Sequence, residues 1–338
     1  MPLDVFGDMG ESRMKYSYGV VICTFDGAER VGLLLESMAK CKTLEKFSKK
    51  IVVEDKVPEE KREIGLDWYP WKHTVNESHH KLIPIMAEHP DWEWVSLRHW
   101  GNMQGCANEA IKACNTDFVW YISDDVLVAG DPFRHLLSWT ENADKSLIDI
   151  TGLISPKIYN SDELVRRKIL KDQIPSLLQV EFYDDPFNTW FKNPPDQLSV
   201  RLTQIPHISG IVNGGSFIVK RDAWESVGGI HPDWDVLDQE LSYSIYLETD
   251  RIIYSIPTDP LFHCGGCAQN GGFTEIRAES LFHRLGTRCV DIFGSTIEDV
   301  DKKVHDIAVA RTELWQNKLL EDFFRIAESD SNFLWKFL

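Results

Sequence analysis

Two adjacent carboxylates, Asp124 and Asp125, follow the apolar run Phe118 to Ile122 (FVWYI) with only Ser123 between. Such a pair at a strand end is costly unless a cation neutralises it. Oxygen donors of this kind suit Mg2+ or Mn2+, whose remaining positions are filled by phosphate oxygens and water. The same pair can serve as a helix N-cap. A second acidic pair, Glu54-Asp55, closes the run Ile51-Val52-Val53; acids there accept hydrogen bonds from a ribose or a base, or simply make a turn. Asp238 and Glu240 open a helical pattern after Gly228-Gly229. Asp238 can be a general base or the cap of that helix. His263 ends a strand-like segment and precedes Cys264-Gly265-Gly266-Cys267. A histidine so placed can ligate a metal. The single CxxC, with His283 alone beyond it, makes no zinc finger, and its two glycines do not suit a redox motif at a helix start.

These residues need a frame. Gly19 to Phe25 (GVVICTF) reads as a buried strand broken by Gly27, and Val31, Leu34, Leu35 and Met38 then recur at helical spacing. Ile51 to Val53, Trp94 to Leu97 and Phe118 to Ile122 read as further strands, with Leu147 to Ile154 a fifth, and Ala107, Ala110, Ile111 and Cys114 mark a helix. Gly210 to Lys220 and Arg251 to Ile256 read as strands; Arg221 to Ser226, Asp238 to Leu247 and the chain from Thr296 onward read as helices. Alternating strands and helices with apolar strands predict an α/β fold with a mostly parallel central sheet flanked by helices. Ligands of such sheets bind beyond the carboxyl ends of the strands. Thr24, Asp26, Glu54, Asp55, Asp124 and Asp125 are therefore expected to gather at one rim. Residues 155–205 hold five Pro and break the pattern; this stretch reads as an insertion shaping an acceptor site or lid, or as a structural elaboration. The expected organisation is an N-terminal arm (1–17), one α/β domain (18–290) and a C-terminal helical segment (291–338).

Composition bounds the partners. The 338 residues include 53 Asp and Glu against 36 Lys and Arg, a formal net charge of −17. That balance disfavours broad binding to nucleic acid or to anionic lipid. The run Arg166-Arg167-Lys168 with Lys171 is the best basic patch, and reads equally as a solvated helix face. Seven Cys form no disulfide framework; with no leader or membrane span legible, a reducing, cytoplasmic setting is expected. The aromatic tail, Phe333 to Leu338, fits core packing or a contact between copies of the chain, ahead of contact with a membrane surface. GxGxxG after the first strand, GxxxxGK[ST], GxSxG and HExxH are all absent, against dinucleotide, P-loop, hydrolase-elbow and zincin chemistry.

Taken in order, the segments VVICTFDGAERVGLLLESM, KIVVED, GNMQGCANEAIKACNTDFVWYISDDV, NGGSFIVKRDAWESVGGIHPDW, VLDQELSYSIYLETDRIIYSIP and LFHCGG resemble the glycosyltransferases of family 2 with the GT-A fold. The resemblance runs from about Gly19 to Gly266, with residues 155–205 as a gap. It implies an inverting, metal-dependent transfer of a hexosyl or pentosyl group from a nucleotide-sugar, first of all a UDP-sugar. Thr24, Asp26 and Glu54 or Asp55 would hold the nucleoside, and Arg98 would lie over the base. Asp124 would serve the ribose or the metal shell, Asp125 and His263 would bind Mn2+ or Mg2+, and Asp238 would be the general base. Three departures stand out: Ser123 replaces a first acid, Glu54 the usual Asp, and Leu237 a second acid, which leaves the base open between Asp238 and Glu240.

Two other readings compete. A nucleotidyltransferase would carry a basic, Gly-rich loop after the first strand, where this chain has Asp26-Gly27-Ala28-Glu29. Against a non-catalytic nucleotide-sugar or glycan-binding module stand the retained Asp125, His263 and Asp238. The acceptor is open among a glycan, a lipid-linked glycan, a protein and a modified base; among the 12 Trp, Trp68, Trp71, Trp190 and Trp234 suit sugar stacking or core packing.

Overall fold

The chain enters its sheet at once, through the β-branched run that the sequence marks. The structure is a computed structural model that describes residues 14–25, 27–55, 75–97, 102–160, 205–231, 237–259, 261–263 and 289–329. In chain order the elements are β1 (Tyr18–Phe25), α1 (Ala28–Met38), β2 (Lys49–Asp55), α2 (Val75–Glu88), β3 (Glu93–Ser96), α3 (Asn102–Cys114), β4 (Phe118–Ser123), β5 (Val126–Val128), α4 (Pro132–Asn142), α5 (Lys145–Asp149), β6 (Thr151–Ser155) and β7 (Ile158–Asn160). There follow β8 (His207–Ile208), β9 (Ser216–Lys220), α6 (Arg221–Ser226), α7 (Leu237–Glu248), β10 (Ile252–Ser255), β11 (Leu261–His263) and α8 (Ile297–Ser329).

Eight strands make the central sheet, in the order β3-β2-β1-β4-β9-β6-β10-β8, and β5-β11-β7 form a small second sheet. Strands β3, β2, β1 and β4 are mutually parallel, as are β6 and β10. Strand β9 runs antiparallel to both β4 and β6. The α/β architecture is thus the expected one, and the antiparallel β9 is a feature its sequence does not announce. Its direction matters for the site: the amino end of β9 lies at the rim where the parallel strands end.

Apolar side chains cover both faces of the sheet. Val20, Ile22, Val52, Trp120 and Ile122 pack on one side with α1, α4 and the end of α8; Val21, Ile51, Val53, Val119 and Tyr121 pack on the other with α3 and α7. This two-sided burial explains why these strands read as continuous apolar runs rather than as alternating ones. Helix α8 joins the first of these cores through Leu319, Phe323 and Ile326.

Two element expectations need correction. Leu147 to Ile154 is not one strand: residues Lys145–Asp149 are helical, capped by the Asp144 carboxylate on the Ser146 N–H at 2.8 Å, and the strand starts at Thr151. Gly210 to Lys220 is a strand only from Ser216, because Asn213 to Gly215 form a turn. The sequence run Arg166-Arg167-Lys168 with Lys171, the four singled-out Trp and the aromatic tail lie outside the described residues. Among the described residues no helix is long and apolar enough to cross a membrane.

Candidate active site at the carboxyl rim of the sheet

The register brings the predicted acids together. Thr24 pairs with Glu54 and Phe25 with Asp55 across β1 and β2, while Cys23 pairs with Ser123 across β1 and β4. Asp124 and Asp125 form the turn between β4 and β5 rather than a helix start, so the capping alternative does not apply to them.

Asp124 is buried, and three neighbours hold it. The Thr24 hydroxyl donates to Oδ2 at 2.6 Å, and Arg30 lies side-on, with Nε 3.2 Å from Oδ1 and Nη2 3.0 Å from Oδ2. The site depends on Gly27: a Cβ there would stand 1.8 Å from Asp124 Oδ2 and 2.6 Å from Arg30 Nη2. Burial pushes the Asp124 carboxyl up, with the Arg30 charge opposing. Arg30 is a site residue that the sequence reading missed.

Asp125 meets His263. Because β11 pairs with β5, His263 falls opposite Val126, and its Nε2 stands 3.4 Å from Asp125 Oδ1. Burial would raise the Asp125 carboxyl, but the close contact with His263 prevails and holds it below its ordinary range.

Asp238 reaches the same place from α7. The turn Asn213-Gly214-Gly215 is closed by the Asn213 side chain, which accepts from the Gly215 N–H at 2.8 Å, and is tied to the end of β4 by Ser123 N–H on Gly215 O at 2.9 Å. A Cβ on Gly215 would lie 2.8 Å from the His263 ring, and one on Gly214 would lie 3.1 Å from the Asp238 carboxyl carbon. The glycine pair thus lets His263 and Asp238 approach the turn from two directions. Burial raises the Asp238 carboxyl, against backbone N–H bonds from Asp238, Gln239 and Gly214 and the His263 charge. Glu240 points elsewhere. Two residues on along a helix it lies about 200° round from Asp238, where it accepts from the Ser244 hydroxyl at 3.2 Å, and burial pushes its carboxyl up to about 7.

The second acidic pair divides its work. The Glu54 carboxylate is held by His79 Nδ1 at 2.8 Å and by the Ser96 hydroxyl at 2.9 Å. Asp55, also buried, is on the opposite face of β2, where its charge is felt by Cys106 of α3. Asp26, Arg98, Cys264, Cys267 and His283 lie outside the described residues.

Asp125 and His263 offer an oxygen and a nitrogen donor side by side, and no group of three or more metal-ligating side chains occurs among the described residues. Two protein ligands fit a cation that takes its remaining positions from a bound diphosphate and water.

No family model matches the chain, and no curated protein matches its sequence. Its fold does have solved counterparts. The mannosyltransferase PcManGT from Pyrobaculum calidifontis, solved with GDP-Man and Mn2+, is similar over 94% of this chain and 75% of that one, with a TM-score of 0.51 and 14% identity. GalNAc-T7, solved with UDP, GalNAc and Mn2+, is similar over 88% of this chain and 55% of that one, with a TM-score of 0.48 and 13% identity. TarS of S. aureus, solved with UDP-GlcNAc, follows at 0.44 and 13%, over 86% and 71% of the two chains. At 14% identity the likeness to the mannosyltransferase is one of architecture: the chain has the mostly parallel α/β fold of the GT-A type.

Proposed function

We propose that this protein is an inverting, metal-dependent glycosyltransferase. It moves a sugar from a nucleotide-sugar donor, first of all a UDP-sugar, to a hydroxyl of an acceptor. The observation that carries this reading is the meeting of Asp125, His263 and Asp238 around one glycine turn at the carboxyl rim of the sheet. The GT-A-type architecture, shared with a mannosyltransferase solved with GDP-Man and Mn2+, supports it.

Each side chain then has a task. Asp125 and His263 hold Mn2+ or Mg2+. Held there, such a cation would supply positive charge to the donor's diphosphate and to the leaving group. Asp55 accepts from the nucleoside, because the Glu54 carboxylate is already held by His79 and Ser96. Thr24 and Arg30 fix Asp124 toward the ribose. Asp238 takes the proton of the acceptor hydroxyl on a carboxylate oxygen, and burial, which raises its carboxyl, makes it a better base than an exposed aspartate. Glu240 faces the other side of α7, which favours Asp238 as the base; a single displacement by the activated hydroxyl then inverts the anomeric configuration.

The test is the Asp238→Asn variant. Donor and metal binding should persist within about threefold, while release of nucleoside diphosphate from the donor, by transfer or to water, should fall by at least about a hundredfold. A fully active Asn variant removes Asp238 from the chemistry.

A further inference from the structure

Asp238 sits at the start of a hydrogen-bonded rail. Its helix, α7, lies along the segment that runs from β8 to the glycine turn, and three residues at four-residue steps face that segment. Asp238 meets Gly214; the Ser242 hydroxyl accepts from the Val212 N–H at 3.3 Å and donates to Asp238 O at 2.6 Å; the Tyr246 hydroxyl donates to Ser209 O. Residues four apart lie on one helix face, so a single stripe of α7 sets the path of residues 209–214.

The far end of the rail is fixed by the C-terminal helix. Strand β8 is the last of the central sheet, and its outer edge is met by one side chain of α8. Gln316 Oε1 accepts from the Ile208 N–H at 2.9 Å, and Gln316 Nε2 donates to Pro206 O at 2.9 Å. The amide thus takes the backbone donor and acceptor that a further strand would take at this edge. One turn and a half earlier, Arg311 donates to the carbonyls of Tyr246, Thr249 and Arg251, and its guanidinium lies 4.9 Å from the Tyr246 ring centre. It therefore closes the carboxyl end of α7 where helical carbonyls lack partners. Both strands of the rail, the helix and the segment, end on α8.

We propose that Ser242, Tyr246 and Gln316 are positioning residues for Asp238: they set where its carboxylate stands relative to Gly214, Gly215 and His263. This rests on Asp238 being the base, but the rail is open to test without that premise. Among the described residues neither Tyr246 nor Gln316 bonds to a residue assigned to donor, metal or proton transfer, so their effect travels through the backbone.

The experiment is amide hydrogen exchange on the full chain, comparing wild type with Tyr246→Phe and Gln316→Ala. Tyr246→Phe keeps the ring on Arg311 and removes only the hydroxyl. Exchange should speed up about tenfold or more in residues 209–215 and in the first turn of α7, with β1 and β4 unchanged. A merely structural role would instead speed exchange across β1 and β4 as well; that result, or acceleration confined to residues 206–208, overturns the proposal. Steady-state release of nucleoside diphosphate from UDP-glucose or GDP-mannose gives the second readout. Turnover should fall about five- to tenfold with KM within twofold, and a change in KM alone contradicts the proposal. If wild type turns over neither donor, the functional reading fails, and the exchange pattern still decides the rail.

Discussion

His263 Nε2 stands 3.4 Å from Asp125 Oδ1, and the ring of the same histidine rests on Gly215. The contact joins two strands of the small sheet to a turn of the large one. It is also a crowded point of the site, since a Cβ at residue 215 would lie 2.8 Å from the ring. Gly215→Ala should therefore displace His263 and weaken the metal-dependent part of nucleotide binding by about tenfold or more. Gly214→Ala meets Asp238 only at 3.1 Å, which a few tenths of an ångström relieve, so it should spare binding and lower turnover. Titration calorimetry with UDP, with and without Mn2+, separates the two; equal effects from both substitutions would contradict the assignment.

Arg30 offers a second test. Its guanidinium forms an ion pair with Asp124, with the two side chains 25% and 8% exposed. Arg30→Ala leaves a buried carboxylate without its counter-charge, a loss on the order of 2–3 kcal/mol after allowance for the exposed quarter of the arginine. Urea unfolding measures it. A loss under about 0.5 kcal/mol would mean that the pair contributes nothing beyond a surface contact.

Glu240 carries a pH signature. Burial lifts its carboxyl from 4.5 to about 7 in the folded chain. The folded state thus holds this proton more tightly than the unfolded one. Stability from this group is fully present below pH 4.5 and is lost as pH rises through about 7. Glu240→Gln keeps the shape and removes the charge. Relative to wild type, its stability should rise by roughly 2–3 kcal/mol between pH 4 and pH 8, read from melts across that range. A difference that is flat with pH would place Glu240 in a better-solvated setting.

Ser216, the last residue of the NGGS stretch, holds the sheet rather than a ligand. The Trp120 indole N–H donates to its hydroxyl at 2.7 Å, and that hydroxyl donates to Tyr121 O at 3.1 Å, all buried. Ser216→Ala strands the Trp120 N–H and should cost about 1–3 kcal/mol in urea unfolding, with nucleotide binding retained. Lost binding with unchanged stability would assign Ser216 to the ligand instead.

Much of this frame is legible in the sequence for a physical reason. Strands β1, β2 and β4 are buried on both faces, so each is an unbroken apolar run whose end is marked by a polar residue. What stays hidden is either short or tertiary. Strands β5, β7 and β8 have two or three residues, too few for any period. Helix α2 contains Pro84, which breaks its pattern. Helix α4 does carry a signal, Asp131 as cap before Pro132, and that pair would have found it. The antiparallel course of β9 depends on partners that no local pattern reveals. Arg30 and His79 sit on helix faces where a charge reads as solvated; only the fold shows that they face Asp124 and Glu54. The choice between Asp238 and Glu240 likewise rests on which side of α7 meets Gly214.

The proposed reaction needs a nucleotide site completed by a divalent metal. The most direct measurement is a melting panel of UDP, GDP, CDP, ADP and dTDP, with Mn2+ or with EDTA, on wild type and Asp125→Ala. At a hundred times its Kd a ligand adds about 2.7 kcal/mol, a rise of roughly 4 °C for a chain of this size. One nucleotide, with UDP expected first, should stabilise wild type only with Mn2+ and should fail on Asp125→Ala. If no nucleotide shifts the melt with Mn2+ present, the acidic rim is structural and the glycosyltransferase reading falls.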